Sequence, residues 1–415
     1  MRNTGVRVAV LTLGCRVNQS ESSVIEGTLR HHGISIVTLD ENPCYCVINT
    51  CTVTGKSDTQ SRQFIRRASK TGARIIVTGC YSQRKKDEVM QMDGVFQVVP
   101  SEEKEKIVSI ILGQETEPLY HFHDRARPNL KVQDGCNFSC SYCAVPLARG
   151  RSRSLPLATA EERVRMIEAQ GYHEIVLTGI HLGSYGKDLP RKTSLAKLIK
   201  RIITHTDIRR IRLSSLEINE VDDELLEVLG DARVCRHLHL PLQSGSDEIL
   251  RRMNRNYSVC AYSDKISKIL STHSDIAIGT DVIVGFPGER DEDFEESYRF
   301  ITDTPFAYLH VFPFSPRTHT SASEMLPKVS NNVIADRAAT LKNVGILKKE
   351  HYALSQLNKI LDVIIEEKDG LCHMSGTAGN YTKIRVSAQN LHRGTLVFIR
   401  SAGIEGTILK GFVIA

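Results

Sequence analysis

"QDGCNFSCSYCAVPLARGRSRS", residues 133–154, carries three cysteines in C-x3-C-x2-C spacing, at positions 136, 140 and 143. A structural zinc ion takes four protein ligands, and so does an ordinary ferredoxin cluster. Three thiolates on a four-iron cluster would leave one iron open to a small molecule, as in an open catalytic zinc site. The alternative is a zinc ion with a distant fourth ligand. The spacing therefore predicts either a four-iron cluster with one open iron or a zinc site.

The three cysteines come directly after a predicted strand at the start of a long α/β region. That strand, "NLKVQ" (129–133), is followed by five further apolar strands, each separated from the next by a helical segment. Six such units predict a TIM-like barrel or partial barrel, with chemistry at the carboxyl ends of its strands. The cysteine loop would then lie at the mouth of the barrel. The five later strands are "HEIVLTG" (173–179), "RRIRLSS" (209–215), "RHLHLPL" (236–242), "DIAIGTDVIVG" (275–285) and "FAYLHVFPF" (306–314).

Three more cysteines stand at strand ends in the first part of the chain. The predicted strand at residues 6–13 is followed by Cys15, and two further apolar strands are followed by Cys51 and Cys80. Apolar strands alternating with helices predict a parallel sheet covered on both faces. Ligands of such sheets bind beyond the carboxyl ends of the strands. These cysteines are therefore candidates for one site, and unrelated core cysteines are the alternative.

Changes in pattern divide the chain into three parts and predict an α/β class. An N-terminal parallel α/β sheet domain occupies residues 1–115, and a linker rich in proline, histidine and charge occupies 116–128. The central partial (βα)6 barrel covers 129–350. Four short strands separated by turn residues then predict a small antiparallel β-barrel over 351–415.

Composition excludes several classes of protein. The chain has 415 residues, 41% of them hydrophobic and 25% charged, with a net charge of +6 that permits a nucleic-acid partner. Its eleven cysteines, an odd number spread over a long chain, do not indicate a secreted disulfide scaffold. No apolar run reaches the length of a membrane span. These features predict a cytoplasmic protein that uses thiols for metal or redox chemistry.

The cysteine loop, with Tyr142 before its last cysteine, resembles the radical S-adenosylmethionine (SAM) superfamily. This resemblance implies a 4Fe–4S cluster on Cys136, Cys140 and Cys143, whose open iron binds SAM. An electron from the cluster then splits SAM and yields a 5′-deoxyadenosyl radical. The residues at strand ends that the resemblance assigns to SAM are Thr178, Gly179, Ser214, Glu217, Gly245 and Gly285.

Motifs along nearly the whole chain are similar to those of the tRNA methylthiotransferase family. This similarity implies that Cys15, Cys51 and Cys80 bind a second 4Fe–4S cluster, which holds the sulfur that is inserted. It also implies a C-terminal RNA-binding TRAM domain, two uses of SAM, and an electron donor such as a flavodoxin or ferredoxin. The motifs include "GCRVNQSES" (14–22), "VINTCTVT" (47–54), "VTGCYSQ" (77–83), "HLPLQSGSD" (239–247), "DVIVGFPGE" (281–289) and "HVFPFSPRTHTSA" (310–322).

The segments "GCRVNQSES" and "PLARGRSRS" resemble the branch that acts on N6-threonylcarbamoyladenosine at position 37 of the tRNA anticodon stem-loop, at carbon C2. The branch that acts on isopentenyladenosine usually has "GCQMN" and "YTRG", from which Val17 and Leu147-Ala148 depart. A third branch, which modifies a ribosomal-protein aspartate, usually has "GCPKN". The remaining alternative is an iron–sulfur or zinc protein that only binds RNA.

Basic residues are candidates for contacts with RNA phosphates, although a row of basic residues is often only a solvated face of the protein. Arg149 and Arg317 are in addition candidates for the carboxylate of the threonylcarbamoyl group. In the last family motif, His319 stands where glycine is usual. Cys44, Cys46, Cys235, Cys260 and Cys372 match no motif and are expected to be structural. The phosphate candidates are Arg62, Arg66, Lys70, Arg149, Arg151, Arg153, Lys383, Arg385, Arg393 and Arg400.

Overall fold

The N-terminal part is a five-stranded parallel sheet with strand order β2-β1-β3-β4-β5. The computed structural model describes residues 5–120, 122, 125–369, 373–387 and 391–414. Separate hydrophobic clusters cover the two faces of the sheet, as expected for parallel strands. The strands are Arg7–Thr12 (β1), Ser35–Ile36 (β2), Tyr45–Thr50 (β3), Arg74–Gly79 (β4) and Val95–Val98 (β5), and the helices are Arg16–His31 (α1), Gly55–Ser69 (α2), Cys80–Arg84 (α3), Lys86–Met90 (α4) and Lys106–Leu112 (α5).

The central part is a partial barrel of six parallel strands, which confirms the predicted fold class. Two three-stranded sheets, β10-β9-β6 and β11-β12-β13, meet through a bridge between Ile211 and Val234. The strands are Asn129–Lys131 (β6), Glu174–Thr178 (β9), Arg210–Leu213 (β10), His237–His239 (β11), Ala277–Val284 (β12) and Tyr308–Pro313 (β13), and Gln133–Asp134 (β7) pairs with Arg153–Ser154 (β8). The helices are Val145–Arg149 (α6), Leu157–Ala169 (α7), Leu195–His205 (α8), Asp223–Leu229 (α9), Asp247–Arg252 (α10), Val259–Thr272 (α11), Asp291–Asp303 (α12), Ser321–Glu324 (α13) and Asn331–Leu354 (α14).

The N-terminal domain contacts both edges of the six-stranded barrel. Helix α1 lies against β6, where the backbone N–H of Lys131 donates to the Ser20 hydroxyl at 3.2 Å. At the other edge, the N–H of Gly55 donates to the hydroxyl of Ser315, which follows β13, at 3.0 Å. The open side of the barrel is thus closed by the domain that carries Cys15, Cys51 and Cys80.

The C-terminal part is a closed five-stranded barrel with order β14-β15-β16-β18-β17. Four of its pairings are antiparallel, and β16 with β18 is parallel. The sequence predicts four of the strands and misses β15, because "HMSGTA" lacks a regular apolar alternation. The strands are Ile360–Lys368 (β14), His373–Ala378 (β15), Lys383–Ser387 (β16), Leu396–Glu405 (β17) and Ile408–Val413 (β18).

Helix α14 leads from the central barrel to the small one. It is 24 residues long and packs on β13, burying Ala338 and Leu341. Its exposed residues include lysines and also apolar side chains, among them Ile346 and Leu347. Within the ranges that the structure describes, no helix is long and apolar enough to cross a membrane.

The two barrels are joined through a buried carboxylate. Glu174 on β9 is fully buried, accepts a hydrogen bond from Arg212 Nε at 2.7 Å and is ion-paired with Arg210 at 2.5 Å. The two guanidinium groups also donate to backbone carbonyls of the C-terminal barrel, including those of Asp362 at 2.8 Å and Gly379 at 3.0 Å. Glu174 therefore orients the arginines that hold the small barrel in place.

Glu174→Gln is expected to lower the free energy of unfolding by about 3 kcal/mol at pH 7, because it leaves buried guanidinium groups without their counter-ion. Burial alone would raise the pKa of Glu174, but Arg210 and Arg212 outweigh it and lower this pKa to about 2. The stabilisation is complete above the pKa of an unfolded glutamate, about 4.3. It is lost as the pH falls through about 2. Denaturant unfolding at pH 7 and at pH 3 measures both effects.

The matched control is Glu227→Gln, which removes an exposed glutamate paired with Lys200. A surface pair of this kind contributes less than about 1 kcal/mol. If Glu174→Gln costs no more than this control, the buried ion network does not stabilise the contact between the barrels.

Candidate active site

Three thiols of the N-terminal domain lie at the carboxyl ends of three neighbouring strands. Cys15 follows β1 and precedes α1, Cys51 follows β3, and Cys80 is the first residue of α3 after β4. Burial is the main cause that raises the pKa of Cys51 to about 11, and the nearby thiols of Cys15 and Cys80 contribute to this rise. The structure thus brings the three predicted cysteines together, and their role as cluster ligands stays a prediction.

The second group of thiols lies in the loop between β7 and α6. The turn is fixed by a 3.1 Å hydrogen bond from the Cys143 N–H to the Cys140 carbonyl. The Phe138 N–H donates to Cys136 Sγ at 3.4 Å. Burial raises the pKa of Cys143 to about 12, with smaller contributions from the Cys140 and Cys136 thiols. The three thiols form one group, as an open four-iron site requires.

Polar groups that the sequence does not reveal surround these thiols. Arg255 donates to Cys140 Sγ at 3.3 Å and is ion-paired with Glu217. His181 Nδ1 lies 3.6 Å from Cys136 Sγ, and His181 Nε2 lies 2.9 Å from the Glu220 carboxylate. Neither residue stands in a recognisable motif, so only their position in space identifies them.

A cavity lies where the N-terminal domain contacts the barrel. It is lined by Val53, two residues after Cys51, and by Tyr142 of the cysteine loop. Gln243, Asp281 and Phe312 contribute from the barrel. The lining of this cavity therefore includes a residue close in sequence to each thiol group.

A hydrogen-bonded chain runs along the barrel interior below this cavity. Tyr308 OH lies 2.8 Å from His237 Nε2 and 3.1 Å from His239 Nδ1. Asp281 Oδ1 accepts from His239 at 2.9 Å and from His310 at 3.0 Å. The ligand atoms of His239, Asp281 and His310 lie within 4.8 Å of one another. Each already has a protein partner, so the arrangement needs no ion.

Two of the residues assigned to SAM carry side-chain groups that face the site. The Ser214 hydroxyl is buried and has no hydrogen-bond partner among the described residues. A buried hydroxyl without a partner is costly, so this group fits a bound polar ligand. Glu217, assigned to the ribose, is partly exposed and is ion-paired with Arg255, which links it to Cys140.

Close packing explains why glycine occupies two of the positions assigned to SAM. A Cβ on Gly245 would lie 2.7 Å from Ser297 Cα on α12, and a Cβ on Gly285 would lie 2.2 Å from Ile334 on α14. The close approach of these helices explains both glycines. Near the loop, a Cβ on Gly179 would lie 2.8 Å from Gln133 Oε1. Thr178 is buried at the end of β9, and the role of these positions in SAM binding stays a prediction.

The three arginines after the cysteine loop, all candidates for RNA phosphates, differ in their exposure. Arg149 is buried, whereas Arg151 and Arg153 are exposed. Arg317 is also buried and is ion-paired with Asp58 across the domain contact. Arg149 is thus wrong as a phosphate or carboxylate contact, and Arg317 as a carboxylate contact, because both guanidinium groups are buried and already donate to groups inside the protein.

The structural role expected for the remaining cysteines stays a prediction. Cys46 is buried within β3, Cys235 is buried, and Cys44 and Cys260 are exposed. Cys372 lies outside the described residues. His319 adopts a φ of 64°, a conformation that favours glycine, which accounts for the usual residue at this position.

The barrel and its cysteine loop define a radical SAM enzyme. Residues 130–301 match the family model described as "Radical SAM superfamily", and residues 7–100 match "Uncharacterized protein family UPF0004". A solved radical SAM methyltransferase, TsrM from Kitasatospora setae, has a similar fold. Its TM-score is 0.56 at 16% identity, over 77% of each chain.

Proteins from several bacteria are similar to this chain in sequence. A threonylcarbamoyladenosine tRNA methylthiotransferase MtaB from Bacillus subtilis is 39% identical over 87% of this chain and 85% of the relative. The MtaB protein of Thermotoga maritima is 35% identical over 97% of this chain and 96% of its own length. The chain therefore belongs to the radical SAM tRNA methylthiotransferase family, of the MtaB type. It is a methylthiotransferase whose superfamily uses a 4Fe–4S cluster and SAM.

Proposed function

We propose that this protein methylthiolates C2 of N6-threonylcarbamoyladenosine at position 37 of tRNA, with two SAM molecules and two 4Fe–4S clusters. The names of its MtaB relatives support the substrate. We further propose that it acts in the cytoplasm and receives electrons from a flavodoxin or ferredoxin.

The observation that carries this proposal is a cavity whose lining includes a residue close in sequence to each group of three thiols. One wall holds Val53 beside Cys51, and the other holds Tyr142 of the cysteine loop. A cluster on each thiol group would leave an open iron on either side of the same substrate. An RNA-binding protein with a structural metal has no need for this arrangement.

The chain's own residues would bind and orient the reactants. Cluster-bound SAM supplies a radical able to remove hydrogen from an unactivated aromatic carbon, which no side-chain acid or base can do. Arg255 orients Glu217 and donates to Cys140, and the Ser214 hydroxyl offers a donor to a bound ligand.

The substrate is tested by incubating the reduced enzyme with two tRNAs in parallel. One carries threonylcarbamoyladenosine and the other isopentenyladenosine at position 37. Mass analysis of the nucleosides is expected to find the methylthio group only on the first. Modification of the isopentenyl tRNA alone, or of a ribosomal-protein aspartate alone, would contradict the substrate. Absence of SAM turnover with every substrate would contradict the reaction.

A groove beside the last barrel strand supports an RNA partner. It has a volume of about 550 Å³ and lies between β13, α14 and the C-terminal barrel. Lys342 and Lys349 of α14 line it and are exposed, with no ion-pair partner among the described residues. Tyr308 and Tyr381 supply aromatic surface. Cations beside aromatic rings suit the phosphates and bases of a single-stranded loop.

Several other basic candidates are engaged within the protein. Lys383 is ion-paired with Glu366, and Arg385 is paired with Asp369 and Glu405. Their charges are therefore less available to phosphates than those of Lys342 and Lys349.

The double substitution Lys342→Glu with Lys349→Glu is expected to weaken tRNA binding about 10-fold or more, because two phosphate contacts become repulsive. The slope of log Kd against log salt should fall by about 1 to 2. Fluorescence anisotropy with labelled tRNA at several salt concentrations measures both quantities.

The control is Lys192→Glu with Lys197→Glu. These lysines are also exposed and lie beside and within α8, which does not line the groove. The control changes net charge equally and should bind tRNA nearly as well as the wild type. Equal losses in both double variants would indicate a general charge effect and contradict the groove.

A further inference from the structure

Arg149 lies at the contact between the two groups of thiols. Its side chain is completely buried, although it follows the cysteine loop by only six residues. The Nε–H donates to Cys80 Sγ at 3.2 Å. The two terminal nitrogens donate to Glu21, Asp134 and Asn18. All five N–H groups of the guanidinium thus have acceptors available, and one of these acceptors is a sulfur atom.

The charged groups that pair around Arg149 leave one cation in excess. Lys104 and Lys131 join Arg149 as cations, and Glu21 and Asp134 are the carboxylates that pair with them. Arg149 and Lys104 are buried, whereas the side chain of Lys131 is 31% exposed. A metal cluster bound at Cys80 would place negative charge at the sulfur atom that Arg149 contacts.

Hydrogen bonds to a ligand sulfur influence an iron–sulfur cluster directly. A donor and a positive charge beside the sulfur stabilise the reduced, more negative state, and so raise the reduction potential. The hydrogen bond from Arg149 Nε to Cys80 Sγ is a contact of this kind, between a charged donor and a proposed ligand sulfur.

We propose that Arg149 is a positioning residue whose hydrogen bond to Cys80 Sγ raises the reduction potential of the cluster bound by Cys15, Cys51 and Cys80. The inference rests on the proposed second cluster. Arg149 and Asp134 flank the cysteine loop on its two sides and pair with each other, and Arg149 also pairs with Glu21 of the N-terminal domain. The same residue therefore fixes the loop of the first cluster against a ligand of the second.

The test uses a full-length chain in which Cys136, Cys140 and Cys143 are all alanine, so that only the N-terminal cluster remains. After anaerobic reconstitution, this chain is expected to bind about four irons. The midpoint potential is measured by redox titration followed by electron paramagnetic resonance. If this parent chain binds no cluster, the second cluster of the proposed function fails, which is distinct from failure of the Arg149 inference.

Two substitutions in this background separate an electrostatic role from a merely structural one. Arg149→Gln removes a positive charge and should shift the midpoint potential to a lower value. Glu21→Gln removes a negative charge from the same network and should shift it to a higher value. General loosening of the site would move both variants in the same direction.

Arg210→Gln is the matched control, because it also removes a buried, ion-paired arginine but lies in the contact with the C-terminal barrel. Its potential should equal that of the parent. If Arg149→Gln fails to fold by circular dichroism, Arg149→Lys takes its place, since it keeps the charge and loses the Nε–H donor. A folded, cluster-bound Arg149 variant with the parent's potential would overturn the inference. Equal shifts in the Arg149 and Arg210 variants would overturn it as well.

Discussion

Replacing any one of Cys136, Cys140 and Cys143 with alanine is expected to abolish formation of 5′-deoxyadenosine from SAM. Each thiol is one of three that would hold the cluster, and two thiolates would bind it poorly. The iron content should fall from about eight per chain to about four. Chromatography of the reaction products under reducing conditions, together with an iron assay, measures both losses.

Cys260→Ala is the control for this experiment, because it removes an exposed thiol in α11 that belongs to neither group. This variant should keep both SAM cleavage and iron content. Continued 5′-deoxyadenosine formation by Cys136→Ala would contradict the assignment of the loop. One stoichiometric zinc without sulfide in the native protein would favour the zinc alternative.

Cys51→Ala is expected to have a different effect, which is loss of methylthiolated tRNA with SAM cleavage partly retained. Cys51 lies at the end of β3 with Cys15 and Cys80 and does not belong to the cysteine loop. Removing it should therefore disable sulfur insertion without removing the source of the radical. The two products, 5′-deoxyadenosine and the modified nucleoside, are quantified in the same reaction.

Cys46→Ala provides a control from the same strand. Cys46 is buried among apolar residues of the sheet, away from its carboxyl end. The substitution removes a comparable volume but no proposed ligand. Normal product formation by Cys51→Ala, or equal losses in the two variants, would contradict the second cluster.

The local sequence pattern determined much of the fold and the positions of both groups of thiols. Apolar strands alternate with helices through the N-terminal and central parts of the chain. This alternation alone predicts parallel sheets with both faces covered. Because the carboxyl ends of parallel strands meet at one edge, the pattern of strands and helices is sufficient to place Cys15, Cys51 and Cys80 together. The spacing of Cys136, Cys140 and Cys143 likewise depends only on residues near in sequence.

Only the tertiary structure decided what the charged residues do. The sequence "LARGRSRS" presents Arg149, Arg151 and Arg153 as equivalent, yet Arg149 is buried against Glu21, 128 positions away. Arg255 reaches Cys140 across 115 positions, and no local pattern signals that contact. The glycines at 245 and 285 are explained by helices that pack on them from later in the chain. Secondary structure follows from neighbours in sequence, whereas the burial and pairing of a charge depend on groups that only folding brings together.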